Sequence, residues 1–366
     1  MSRRLRSGYT TGACAAAASK AAALLLVNGV SPEAVDIPFP DGSRHRFAVL
    51  RTENGDDGFC RAAIVKDAGD DPDVTNGAEI VAAIRWLPED INLTGHIRIG
   101  AQNIVLGAGV GVGIVTKPGL AVKPGEPAIN PVPRQMIHEA LLEGLADKSD
   151  RGVQVVISVP NGDVLAEKTL NHRLGVVGGL SILGTTGIVR PVSAEAWTAT
   201  ILASLDVARA AGLNEVVLST GRTSERGVQD MVRLPEEAYA MMGDYLEFSL
   251  KNAALRGFEK IHLAGMWAKI MKAAMKIPQT HVRHGALEMK DGAAFLKLLG
   301  AEGALLKKLE SSNTAREMFG HLVEAGRTDL VLAVCERARV YGEDVAKVPV
   351  RVYLVDSHAK VVQHVG

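Results

Sequence analysis

The sequence predicts a mixed α+β domain followed by a doubly wound α/β domain. Three observations support this. A chain of 366 residues is longer than one typical domain. Short extended segments joined by turns fill its first half. After Arg190-Pro191-Val192-Ser193, strand and helix patterns alternate, as in a parallel sheet with crossover helices. The boundary is placed near Ser193, giving domains 1–192 and 193–366.

In chain order, Thr10-Thr11-Gly12 caps a helix that runs to about Val27 and ends at the helix-stopping pair Asn28-Gly29. Extended segments follow at 34–39 and 44–51 around a Pro40-Asp41-Gly42 turn, then at 59–66, 79–86 and 96–99. Asn130-Pro131 places a cap before proline in the first helical position and opens a helix to about Leu145. Residues 153–159 form a β-branched strand. The second domain reads as a helix over 194–211, a strand at 215–219, helical stretches over 236–256, and a strand at 260–264 with another helix beyond it. A long helical region over 293–341 and a last strand at 350–355 complete it.

Composition limits the function classes. A hydrophobic fraction of 47% excludes wholesale disorder. Lys plus Arg (41) balances Asp plus Glu (41), so no bulk charge attracts nucleic acid or an anionic membrane. A polyanionic ligand must meet a local basic pocket. The cysteines Cys14, Cys60 and Cys335 are too few and too scattered for a disulfide framework or a four-thiolate zinc site. Arg3, Arg4 and Arg6 before an Ala/Leu run imitate a signal peptide, but Ser19 and Lys20 interrupt the run. A lysine there costs about 3 kcal/mol in a membrane. The segment reads as a buried alanine-rich helix and the protein as cytoplasmic.

Several motifs carry candidate chemistry. Gly107, Gly109, Gly111 and Gly113 recur with period two, which bares one side of an extended segment. Either tight strand packing or a backbone wall against a flat ligand explains this, since Val112, Ile114 and Thr116 spoil a dinucleotide fingerprint. Asp67, Asp70, Asp71 and Asp73 crowd seven residues; they form either an acidic turn or a proton-accepting cluster, because crowded carboxylates raise one another's pKa. As a calcium loop the stretch fails, with Asn76 and Ala82 at the key glycine and glutamate positions. Thr10-Thr11-Gly12 and Thr185-Thr186-Gly187 are anion-binding corners or simple caps. Ser219, Thr220, Gly221, Ser224 and Glu225 follow a predicted strand and open a helix, where doubly wound folds bind ligands. There the turn could hold a carboxylate and Glu225 ribose hydroxyls. His281 and His284 lack a third ligand at zinc spacing, so no metal site is expected.

Together these segments resemble one family. Gly8-Tyr9-Thr10-Thr11-Gly12-Ala13-Cys14-Ala15-Ala16-Ala17, the stretch 67–80, Gly113-Ile114-Val115-Thr116-Lys117-Pro118-Gly119-Leu120, Glu126-Pro127-Ala128-Ile129-Asn130-Pro131-Val132-Pro133-Arg134 and Gly178-Gly179-Leu180-Ser181-Ile182-Leu183-Gly184-Thr185-Thr186-Gly187-Ile188 are similar to the cobalt-precorrin-5B (C-1)-methyltransferase family, CbiD, of cobalamin biosynthesis. The chain departs from that pattern at His172, and at Met266 and Ala268 in Gly265-Met266-Trp267-Ala268-Lys269.

The resemblance implies methyl transfer from S-adenosylmethionine to ring carbon C-1 of cobalt-precorrin-5B, giving cobalt-precorrin-6A. A metal-free precorrin as substrate, or a non-catalytic corrin-binding and handover protein, are the alternatives. It assigns Thr10, Thr11, Gly12, Lys117, Arg134, Arg173, Thr185 and Thr186 to the carboxylate-fringed macrocycle, with Lys123, Lys168 and Arg190 nearby. Asp67, Asp70 and Asp71 would take up a proton or positive charge, and Ser219, Thr220, Gly221, Ser224 and Glu225 the S-adenosylmethionine. The expected partners are the corrin precursor, neighbouring pathway enzymes in transient contact and further copies of the chain, with no nucleic acid or membrane. A cationic, glycine-floored crevice between the two halves, near Thr11, Asp71 and Arg134, is expected.

Overall fold

The alanine run near the N-terminus forms a helix enclosed by its own domain. The computed structural model describes residues 5–89, 93–101, 103–148, 150–191, 193–279 and 288–366. It divides into two compact units, Met1–Ala194 and Glu195–Gly366, and the class is mixed α/β.

In the first unit, β1 (Gly8–Tyr9) leads into α1 (Thr11–Asn28). A run of strands follows: β2 (Ala34–Pro38), β3 (Arg44–Ala48), β4 (Arg51–Asn54), β5 (Cys60–Val65), β6 (Glu79–Trp86), β7 (His96–Ile99), β8 (Ile104–Ala108), β9 (Gly111–Val112) and β10 (Ile114–Val115). Then come α2 (Pro131–Leu145), β11 (Val153–Ser158), α3 (Gly162–Ala166), β12 (Val176–Val177), β13 (Gly179–Leu180) and β14 (Ile188–Val189). The main sheet has the order β4-β5-β6-β11-β8-β7; only β11 and β8 run parallel. Alternate residues Ala62, Ile64, Ile80, Ala82, Ile84, Val153, Val155 and Ile157 turn one face into the core.

Helix α1 lies on β5 and β6 and also packs against α2. Small side chains let it do both: Ala13, Ala15–Ala18 and Ala21–Ala23 are fully buried. A β-carbon at Gly144 of α2 would come within 2.8 Å of the Ala23 methyl, so the close helix crossing requires glycine there. The Thr10 hydroxyl accepts the Ala13 N–H at 3.1 Å, and Gly29 closes the helix in the left-handed conformation. α1 is long and apolar enough to cross a membrane by composition, but it is mostly buried inside the unit, as a core helix is.

The second unit contains α4 (Ala194–Ala210), β15 (Glu215–Ser219), α5 (Arg222–Val232), β16 (Tyr239–Met241), α6 (Leu246–Leu255), β17 (Lys260–Gly265) and α7 (Trp267–Ala274). Next are α8 (Met289–Leu298), α9 (Gly303–Ser311), α10 (Ala315–Glu324), α11 (Thr328–Ala346), β18 (Val350–Val355) and β19 (Val361–Val365). Its sheet, β16-β15-β17-β18-β19, is parallel except for the β19 edge. Val216, Leu218, Ile261 and Leu263 face the large helical core, and Val217, Ala264 and Tyr353 face the side where Val228 of α5 packs. Helices therefore cover both faces.

Three local expectations change. Residues 236–256 hold a 3-10 turn at Glu236–Ala238 and an α-helix only from Leu246, because Tyr239–Met241 between them pairs with β15. The 293–341 region is four helices rather than one, broken where Gly300, Gly303 and Gly326 take positive φ and where Ser312-Asn313 interrupts. Residues 44–51 divide at Val49-Leu50 into two strands of different sheets.

Candidate functional site

The N-terminal strap and the acidic loop bind each other directly. Strand β1 pairs antiparallel with β14, Gly8 opposite Val189. On its other side the Tyr9 N–H donates to the Asp67 carbonyl at 2.7 Å. A β-carbon on Gly8 would overlap the Ala68–Gly69 backbone, so glycine makes this approach feasible. The Arg6 N–H donates to Asp70 Oδ2 at 2.7 Å, and the Asp70 N–H to the Arg6 carbonyl at 2.9 Å. The Arg6 guanidinium forks onto Asp67 at 2.5 and 2.8 Å.

At the loop's root stands Lys66, whose side chain is 1% exposed. Its ammonium donates to Asp73 and, at 2.6 Å, to Thr75 Oγ1. Thr75 in turn donates its N–H (2.8 Å) and hydroxyl (2.7 Å) to Asp73 Oδ1. For Asp67 and Asp73 these pairings correct the expectation that crowding raises a carboxylate's pKa. Hydrogen bonds from Arg6, with help from the Gly69 N–H, hold Asp67 below the usual carboxylate range. Burial opposes the charge on Asp73, but the field and hydrogen bonds of Lys66 and Thr75 prevail and hold it low as well.

The Thr-Thr-Gly corner at the start of α1 serves the fold. Thr10 caps the helix. The Thr11 hydroxyl donates to the Leu183 carbonyl (3.2 Å) and accepts the Leu183 N–H (3.0 Å). Gly12 sits where a β-carbon would be 2.7 Å from Pro133. All three are buried. By contrast, Thr185 and Thr186 are exposed on the turn that brings Gly187 back to the Thr10 N–H. Cys14, one turn into α1, has its thiol pushed up to about 12 by burial, against the pull of Lys66, and is an inert core residue.

The same region receives the cationic segments. Ile129 bridges Ile182, and the Asn130 N–H donates to the Ile182 carbonyl at 3.0 Å. Arg134 reaches back to the Ile129 carbonyl (2.6 Å) and Glu126 (2.7 Å), with 20% of its side chain exposed. Lys117 runs along Gly175, and Thr116 donates both its N–H (2.7 Å) and its hydroxyl (2.8 Å) to the Gly175 carbonyl. That turn carries the half-buried Arg173. The Gly113 carbonyl accepts the Ala128 N–H at 2.8 Å, joining the Lys117 and Arg134 segments.

The structure thus gathers Thr10, Thr11, Gly12, Asp67, Asp70, Arg134, Thr185 and Thr186 into one hydrogen-bonded neighbourhood, with Asp71 on the same loop and Lys117 and Arg173 on an adjoining ribbon. The glycine wall is resolved in favour of packing. Added β-carbons at Gly107, Gly109, Gly111 and Gly113 would strike His96, Ser158, the Val159 carbonyl and Val176. One concavity of the first unit, about 370 Å³, is lined by Pro40, Pro131, Val132, Gln135, Met136 and Glu139. None of these is a predicted site residue.

Ser219, Thr220, Gly221, Ser224 and Glu225 lie in the second unit. From β15 the chain passes through α5 to β16 on one side, then through α6 to β17 on the other. The order reverses between β15 and β17, and the Thr220 N–H donates to the Ala264 carbonyl at 3.0 Å at that switch point, where open α/β sheets bind ligands. Glu225 is 5% exposed and accepts from Ser219 at 3.1 Å, so its carboxylate is spent inside the unit rather than offered to a ribose. Ser224 donates to the Gly221 carbonyl at 2.9 Å. What faces outward is Thr220 and Gly221, with nothing within 4 Å of a β-carbon on Gly221. Lys269, four residues past the end of β17, pairs with Asp244. His281 and His284 lie outside the described residues.

Arg6 and Lys66 are the residues that motif reasoning misses. Arg6 is hidden in a decoy charge run, and a lysine is ordinarily read as surface.

Residues 1–191 match the CbiD family, and residues 279–366 match the CbiD C-terminal domain. A cobalt-precorrin-5B C(1)-methyltransferase from Desulfotalea psychrophila is 58% identical over 99% of this chain and 98% of its own. One from Geobacter metallireducens is 48% identical over 92% of this chain and 91% of its own. A solved cobalamin biosynthesis protein (cbiD) from Archaeoglobus fulgidus is 23% identical, with a TM-score of 0.39, over 88% of this chain and 85% of that one.

Proposed function

Because the chain belongs to the CbiD family, we infer that it is a cobalt-precorrin-5B C(1)-methyltransferase of cobalamin biosynthesis that uses S-adenosylmethionine as methyl donor. The observation that carries this reading is the 58% identity over 99% of the chain to a relative of that name. The geometry supports it: the segments bearing the family motifs, scattered from residue 8 to residue 188, meet around the start of α1.

The chemistry needs little covalent help. The S–CH3 bond breaks with its electron pair left on sulfur, giving a neutral thioether. The macrocycle supplies the pair for the new C–CH3 bond, becomes more positive by one charge, and sheds a proton to a base. In-line placement of the two reactants therefore supplies much of the rate, several kcal/mol in such reactions. Lys117, Arg134 and Arg173, with Thr185 and Thr186, hold the acetate and propionate arms in this reading. Asp67, Asp70 and Asp71 accept the proton. Thr10, Thr11 and Gly12 act by holding the corner together.

The second unit is a doubly wound, Rossmann-like domain (193–366) in this account, and it takes S-adenosylmethionine at Thr220 and Gly221, with Ser219, Ser224 and Glu225 shaping the turn. The α+β domain (1–192) takes the corrin. The protein works in the cytoplasm, with homo-oligomers and neighbouring pathway enzymes as further partners.

Calorimetric titration tests the donor site. Gly221 has an extended φ of 166° and open space beside it, so Gly221→Val should fold normally and lose the heat of S-adenosylmethionine binding. A variant that binds as wild type moves the donor elsewhere. For the base, Asp70→Asn with Asp71→Asn should cut turnover by at least about tenfold; unchanged turnover removes the pair from the mechanism.

A further inference from the structure

We propose that Arg6 anchors a carboxylate arm of the macrocycle, and that it gives up Asp67 to do so. This rests on the function inferred above and deepens it. The backbone of Arg6 is fixed on both sides, by the reciprocal hydrogen bonds with Asp70 (2.7 and 2.9 Å) and by β1, which follows two residues later and is paired with β14. Gly69 takes a left-handed φ of 68°, and a β-carbon there would strike the Arg6 carbonyl. The position is built, yet its side chain is not enclosed: the guanidinium and its Asp67 partner are 60% and 50% exposed.

That separates Arg6 from Lys66 and Arg134. Lys66 is 1% exposed, and Arg134 is 20% exposed and held by Glu126 and the Ile129 carbonyl. Exposed ion pairs contribute little to stability. A ligand carboxylate offers the guanidinium the same planar, bidentate geometry that Asp67 offers now. The exchange therefore conserves the number of charge-assisted hydrogen bonds on Arg6. It leaves Asp67 with the Gly69 N–H (2.9 Å) on Oδ1 and no longer tied to a cation. Occupancy by substrate would thus turn Asp67 from an ion-pair partner into a proton acceptor. The charged group acting on it is Arg6 on the strap, whose guanidinium also feels Asp70; from α1 Asp67 meets the buried Cys14, which feels Lys66 as well.

The test is an absorbance titration of cobalt-precorrin-5B onto full-length wild type, Arg6→Gln and Arg6→Lys, repeated with the methyl ester of the same macrocycle. Loss of one bidentate charge-assisted contact predicts a Kd about 10- to 100-fold higher for Arg6→Gln. Arg6→Lys should recover part of that loss, and S-adenosylmethionine affinity should not change. With the ester, wild type and Arg6→Gln should bind alike. In turnover, the acid limb of kcat/KM should move to higher pH in Arg6→Gln, because free Asp67 no longer has its cation. An unchanged Kd for Arg6→Gln, or an equal loss with the ester, overturns the anchor. Weakened binding in Arg6→Gln while wild type transfers no methyl group would keep the anchor and reject the methyltransferase reading.

Discussion

Replacing Lys66 by methionine keeps an unbranched apolar stem, one atom shorter, and removes its charge. In the folded protein that ammonium is enclosed and meets Asp73 and Thr75. Breaking a buried pair from one side costs about 3–5 kcal/mol. Here the Asp73 side chain is 25% exposed and keeps two donors from Thr75, which brings the expected loss to about 2–3 kcal/mol. For a unit of this size that is a fall of about 5–10 °C in the N-terminal transition by scanning calorimetry. The pH dependence fixes the sign. Because the folded-state pKa of Asp73 is depressed, its stabilisation is present above the ordinary carboxylate value and is lost as pH falls through the lower folded one. The gap between wild type and Lys66→Met should therefore close in acid. Lys66→Met with Asp73→Asn should regain part of the loss at pH 7, since no lone charge is then left. A shift below about 2 °C, or a double variant less stable than the two single losses combined, refutes the idea that this pair braces the acidic loop.

Other outcomes follow from the same geometry. Gly111 has a φ of 72° and its β-carbon position abuts the Val159 carbonyl, so Gly111→Ala should lose more than about 3 kcal/mol in urea unfolding; a near-neutral effect would reopen the ligand-wall reading of the glycines. Hydrogen bonds from Arg44, with Lys20 and against burial, hold Glu143 at about 2. With 34% of that side chain exposed, Glu143→Gln should cost about 1 kcal/mol at pH 7, and the difference should fade as pH falls from about 5 towards 2. In the native protein a thiol reagent should modify Cys60, while Cys14 and Cys335, buried with thiols raised to about 12, should react only on unfolding.

Elements with their own local signals are legible in the sequence. α1 announces itself through the Thr10 cap and the Asn28-Gly29 stop, and α2 through Asn130-Pro131. Strands such as β5, β6 and β11 show in runs of β-branched and small residues. The two-residue strands β9, β10, β12 and β13 are not legible, because each is defined by a partner more than 60 residues away and two residues carry no periodicity. β16 defeats a helical pattern through tertiary pairing with β15. At the candidate site, motif reasoning finds the acidic loop and the Thr-Thr-Gly corner but not who neutralises whom. That depends on Arg6 lying 61 residues from Asp67 in sequence and at hydrogen-bond distance in space.

The most direct measurement is to supply S-adenosylmethionine with a carbon-13 methyl group and cobalt-precorrin-5B to the purified protein and to find the label in the product by NMR. One labelled methyl on ring carbon C-1 and one equivalent of S-adenosylhomocysteine are expected. Label at another carbon, or corrin that binds and returns unlabelled, would contradict methyl transfer to C-1.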